Sequence, residues 1–151
     1  MTPAPRKSPT VFRELSHDEC LAILAKHDIG RLAYTFHDRV DIEPLNYIVF
    51  DGDLVFRTTP GSKVDVLQHH PWVAFEVDEI DGTVSWRSVV AHGTMYHLDR
   101  IGSRDETHAY ERALESLKAI TPPRDRGDIR DRPVLLRLHV DHLTGREARR
   151  S

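Results

Sequence analysis

Five side chains within seven positions, Arg57, Thr58, Thr59, Ser62 and Lys63, carry two cations and three hydroxyls. A guanidinium grips phosphate oxygens through two parallel hydrogen bonds, an ammonium acts as a point charge, and hydroxyls donate. Phe56-Arg57 reads as the end of a strand, Pro60-Gly61 as a turn and Ser62 as the start of a helix. A helix start adds unpaired amides and the positive end of a dipole, both attractive to an anion. The glycine spacing of a P-loop is absent. The same residues also read as an ordinary strand end, a Ser N-cap and a solvated lysine. Locally, both readings stand.

Other chemistry-bearing residues are less well arranged. His139 and His142 lie three apart on a predicted strand, which sends them to opposite faces and argues against one shared metal ion. His69-His70 has the same difficulty, and no thiolate-rich or HExxH zinc pattern is present, so no metal ligand is assigned. Cys20, at a helix start, reads as a small packing residue. Glu76, Asp78, Glu79 and Asp81 read as a solvated strand end rather than an acid–base pair. Trp72, inside an apolar run, reads as core, which leaves Trp86 as the better stacking residue. No catalytic triad or carboxylate pair stands out, and no catalytic residue is assigned.

These residues must be positioned by a chain of 151 residues, which fits one domain able to bury its own core. A net charge of −3 argues against a nucleic-acid footprint. A single cysteine excludes an internal disulfide. Neither a signal peptide nor an apolar run of bilayer length is visible, so the expected location is cytoplasmic, away from membranes.

Residues 1–14 read as a flexible proline-rich arm. Ser16-His17-Asp18-Glu19 fits a capping box opening a helix to His27. A two-residue period then marks strands over 31–36 and 40–49, and Asp51-Gly52 signals a tight hairpin into 54–57. A short helix is predicted over 62–70 and a strand buried on both faces over 72–78. A turn at Asp81-Gly82 leads to a long strand over 84–97, interrupted by Gly93. A helix over 104–118, an exposed charged loop over 121–133 and a last strand over 134–140 follow. The domain spans 15–145, and 146–151 reads as a basic tail. The predicted fold class is mainly β: about six antiparallel strands in a closed or partly open barrel with two or three peripheral helices.

The segment from Phe56 to Lys63 resembles the phosphate-binding stretch of the pyridoxamine 5′-phosphate oxidase-like superfamily of FMN-binding split barrels. Gly30-Arg31-Leu32-Ala33 with Val40–Tyr47 is similar to that family's first hairpin. Pro71–Ile80 and Trp86–Gly93 resemble its following strands, and Leu143-Thr144-Gly145-Arg146 matches more loosely. The resemblance implies a split β-barrel homodimer with FMN in clefts between subunits. It implies phosphate binding by Arg57, Thr58, Thr59, Ser62 and Lys63 and ring contacts from Pro44, Leu45 and Asn46. Trp86, Arg87 and Ser88 would approach from the partner subunit. It further implies a small flavin-dependent oxidoreductase acting with a small-molecule substrate or electron donor. The oxidases' C-terminal substrate-binding extension has no counterpart before Ser151, so vitamin B6 is not the expected substrate. The deazaflavin F420, used by similar folds, fits the same phosphate residues. A non-catalytic flavin or haem carrier is the remaining alternative.

Overall fold

The computed structural model describes residues 2–4, 8–58, 67, 69–98, 104–120 and 134–151. Among them are seven strands and two helices: β1 Thr10–Glu14, α1 His17–Lys26, β2 Ile29–Phe36, β3 Arg39–Phe50, β4 Asp53–Thr58, β5 Trp72–Gly82, β6 Ser85–His97, α2 Arg104–Ile120 and β7 Val134–Arg150. Every pairing is antiparallel. The order is β1-β7-β4-β3-β2-β5-β6, and β6 pairs back onto β7. Six strands therefore close a ring and β1 adds an edge. The expected antiparallel barrel is present, with one strand more than predicted.

Local chemistry explains several joints. The Ser16 side chain accepts from the Glu19 amide, and the Glu19 carboxylate accepts from the Ser16 amide, so the predicted capping box opens α1. Asp51 and Gly52 have φ of 48° and 82°, the left-handed pair that a two-residue hairpin needs. The β5–β6 turn falls at residues 83–84, two positions later than predicted, because β5 runs on to Gly82 past a register shift. Gly93 does not interrupt β6. Its missing side chain instead lets β7 cross closely, since a Cβ there would sit 1.8 Å from the His139 carbonyl oxygen. The register steps from His92–His142 to Gly93–Val140, leaving Asp141 as an extra residue in β7. The buried Asp53 carboxylate accepts from the Val140 amide beside this bulge and from Arg137 Nε.

Strand alternation divides the core in two. Leu32, Tyr47, Phe56, Phe75, Val89 and Leu138 point into the barrel, where Cys20, Ile23 and Leu24 of α1 pack against them. On the outside, α2 covers Phe50, Val55 and Leu135 with Tyr110, Ala113 and Leu117.

Four sequence expectations need correction. Residues 10–14 are not part of a loose arm, and 146–150 are not a tail: they pair with each other from Thr10–Arg150 to Glu14–Arg146. Backbone pairing of β7 with both β1 and β6 outweighs its charged composition. β5 is not buried on both faces, because Val73, Phe75 and Val77 point inward while Trp72, Ala74, Glu76 and Asp78 point out. Trp72 is therefore not core but 68% exposed.

Candidate functional site

The β3–β4 ladder ends at Tyr47–Phe56. Beyond that pair β3 continues with β2 alone, and β4 continues with β7 through Arg57–Leu135 and Thr58–Val134. The sheet forks there. Asn46, Leu45 and Pro44 lie on one arm of the fork, and Arg57 and Thr58 on the other. Proline is accommodated because this part of β3 is an edge and needs no second row of donors. Leu45 packs against the barrel core, whereas Pro44 and Asn46 are exposed. Asn46 Nδ2 and the Tyr47 amide both donate to the Asp28 carbonyl, tying this arm to the end of α1. Arg57 and Thr58 are half-buried. Alternation aims Arg57 outward with Val55 and Thr58 inward with Phe56, so the two side chains leave the strand end on opposite faces.

Thr59, Ser62 and Lys63, and the predicted helix start around them, lie outside the described residues, as does the loop 121–133. The part of the proposed phosphate cradle that is described supplies a guanidinium and a hydroxyl at an opening in the sheet. That donor set suits an anionic group such as a nucleotide phosphate.

Across β2 from Pro44 stands Arg31, its register partner. Arg31 Nη2 contacts Asp78 Oδ2 at 2.6 Å, and Arg31 Nε reaches Glu76 Oε1 at 3.3 Å. Ser88 donates to Glu76 Oε2 at 2.9 Å. These carboxylates are thus an engaged cluster on the outer face, not a solvated strand end. Burial and the neighbouring Asp78 push the Glu76 carboxyl above its ordinary range. Burial also works on Asp78, but the Arg31 hydrogen bond and charge outweigh it and hold that carboxyl low. The sequence signal was available: Glu76 and Asp78 are two apart on a strand and share a face. Glu79 points the other way, to Lys26 and His27.

Trp86 and Arg87 do not approach Arg57 within one chain, whereas Ser88 reaches the β3 arm of the fork through Glu76 and Arg31, the partner of Pro44. Arg57 pairs with Leu135 and Trp86 with Ala148, thirteen residues apart along β7, or about 40 Å of strand. Trp86 lies beside Phe12 of β1, ring centroids 6.4 Å apart. Arg87 turns to the opposite face and pairs with Glu147, which also binds Arg13.

Cys20 is fully buried, and burial pushes its thiol up, as suits a packing residue. The bulge at Asp141 overturns the geometric argument about His139 and His142. Their partners, Thr94 and His92, share a face, so both histidines point the same way. Their rings nonetheless diverge, His139 toward Asp53 and Asp141 and His142 toward His92. Among the described residues no helix is long and apolar enough to cross a membrane.

Comparison with known proteins gives this geometry a context. The family model described as pyridoxamine 5′-phosphate oxidase matches residues 16–147. An uncharacterized protein of Mycobacterium tuberculosis is 32% identical over 125 residues, covering 76% of this chain and 80% of that one. One of Rhizobium meliloti is 31% identical over 86 residues, and the match spans only 57% of either chain. The structure of a FAD-binding protein from Mesorhizobium loti has a TM-score of 0.76 and 27% identity, covering 93% of this chain and 99% of that one. A haem-binding protein of Mycobacterium smegmatis shares the fold at a TM-score of 0.66 and 14% identity, covering 87% and 56%.

Proposed function

Because the chain belongs to the pyridoxamine 5′-phosphate oxidase family, we propose that it is a small flavin-dependent oxidoreductase that holds FMN at the β3–β4 fork. The fork carries this reading: it opens the sheet between the strand edge at Pro44–Asn46 and the cation and hydroxyl of Arg57 and Thr58. Arg57 and Thr58, with Thr59, Ser62 and Lys63 following, hold the phosphate. Pro44, Leu45 and Asn46 on the edge of β3 would contact the ring. Bound flavin supplies hydride or electron transfer itself, so the chain has only to bind, orient and tune it. That division of labour suits a site without a catalytic triad.

The active form is a homodimer. Trp86 and Arg57 pair with positions thirteen residues apart along β7, which favours a second copy as the one that brings Trp86 to the flavin. The uncovered outer face of β3, β2, β5 and β6 is the surface that pairs.

The test is flavin retention. Purified protein is incubated with FMN or FAD, freed of unbound ligand and read by absorbance, beside the double variant Arg57→Ala/Lys63→Ala. Stoichiometric FMN in the wild type, and loss in the variant with an unchanged far-UV spectrum, is the expected result. Equal flavin in both proteins overturns the site. Retention of FAD but not FMN overturns the choice of nucleotide. A wild type that keeps only F420 or haem overturns the flavin assignment.

A further inference from the structure

We propose that the Arg31–Glu76–Asp78–Ser88 cluster couples the pairing of two copies to the uptake of a proton. This rests on the homodimer reading above. The outward row of β5 runs Trp72, Ala74, Glu76, Asp78, Ile80, so the charged pair is bracketed by apolar residues. Trp72 and Ile80 are 68% and 73% exposed, and Val40 and Ile42 on β3 are 78% and 64% exposed. Beside Trp72 lies a hollow of about 300 Å³ bounded by Val40 and His92 and floored by Ala33 and Ala74. One face thus carries both apolar protrusions and a recess, features that a two-fold contact can use.

Covering that face takes the half-exposed cluster out of water. Arg31 supplies one positive charge, and Glu76 and Asp78 supply two negative charges when both are ionised. The excess charge is tolerable in water and costly once buried. A proton on Glu76 removes it and leaves a neutral Arg31–Asp78 pair, with Glu76 still bonded to Arg31 and Ser88. Glu76 is placed to take the proton, because Arg31 lies closest to Asp78. The groups facing Glu76 are Arg31 from β2, Ser88 from β6 and Asp78 on β5. His27, after α1, acts on Asp78, and His92 stands one outward position further along β6.

The sign follows from proton linkage. The paired state binds more protons than the separate chains, so association weakens as pH rises through the Glu76 pKa of the pair. Sedimentation equilibrium of the full chain, with and without saturating FMN, reads this as pH is raised step by step from the ordinary carboxyl value of 4.5. The dissociation constant should rise by up to about tenfold per pH unit for each Glu76 in the contact. Glu76→Gln keeps the bonding shape without the charge and should pair with a flat profile, which also separates Glu76 from His92. Ser88→Ala removes a bond that favours ionised Glu76 and should move the weakening to higher pH, a result that stands even if Glu76→Gln does not fold. A wild-type dimer with a flat profile, or Glu76→Gln with the wild-type slope, overturns the inference and leaves the homodimer intact. A monomer at every pH overturns both.

Discussion

Tyr47 holds the fork to the rest of the protein, and removing one oxygen from it tests how. The side chain is 1% exposed, its hydroxyl donates to the Leu24 carbonyl at 2.6 Å, and its ring meets Phe75 edge-on at a centroid distance of 5.1 Å. Burial pushes its hydroxyl pKa up, so the group stays a donor across the working range. Tyr47→Phe keeps the ring and deletes the donor, leaving a buried helix carbonyl without its side-chain partner. The cost is about 1–2 kcal/mol. In a chain of this size that lowers Tm by roughly 2–8 °C. Tyr47→Leu also removes the ring and the aromatic pair and should cost about 3–4 kcal/mol. Calorimetry of the three proteins gives the comparison, and hydrogen exchange shows whether the loosening centres on residues 45–47 and the end of α1. If Tyr47→Phe melts at or above the wild-type temperature, the hydroxyl contributes nothing and the account of the fork's anchoring is wrong.

Gly93→Ala should block folding or strip the soluble yield, because its Cβ meets the His139 backbone, whereas Gly82→Ala meets nothing within 4 Å and should express normally. Acid should release β1 before the barrel. Hydrogen bonding to Arg13 and to the Ser16 amide holds Glu19 down at about 2, and Arg13 likewise lowers Glu147. Carboxyls depressed in the folded state contribute above their unfolded pKa, near 4.5, and lose that contribution as pH falls through the folded value. Amide exchange over Thr10–Glu14 should therefore accelerate between those two pH values, and Arg13→Ala should flatten the response. Cys20 should resist a thiol reagent in the native protein and react at once in denaturant, since it is fully buried; rapid native labelling would show the core to be open at α1.

The elements with strong local chemistry were legible from sequence. Ser16–Glu19 names its own capping box, Asp51-Gly52 its own hairpin, and alternation sets the inward faces of β2 and β4. What failed were inferences from composition. Arg146, Arg149 and Arg150 look like a soluble tail, yet backbone pairing with β1 and β6 depends little on which charged side chains point outward. Trp72 looks like core because it opens an apolar run, but period-two alternation puts it outside while Val73 and Phe75 go in. An unbroken strand would send His139 and His142 to opposite faces; one extra residue at Asp141 puts them on the same face. Of the candidate site, Arg57 could be chosen from its type, and Asn46 only from the family resemblance. That they flank a fork depends on β3 and β4 taking different partners, a long-range fact no local pattern carries.

The position of that fork on the barrel surface is itself informative. On β3 the outward residues run Val40, Ile42, Pro44, Asn46, Ile48 and Phe50. Ile48 and Phe50 lie under α2 together with Val55 of β4, whereas Val40 and Ile42 lie bare. Asn46 and Arg57 therefore stand where covered surface gives way to uncovered surface. A ligand there meets the chain's own helix-covered half on one side and open sheet on the other. If a second copy covers the open sheet, the ligand becomes enclosed without any lid moving, and occupancy and pairing must then strengthen each other equally. FMN should tighten the dimer by the same factor by which dimerisation tightens FMN. A dilution series in which flavin affinity does not change as the dimer dissociates would separate the two and place the ligand on a single chain.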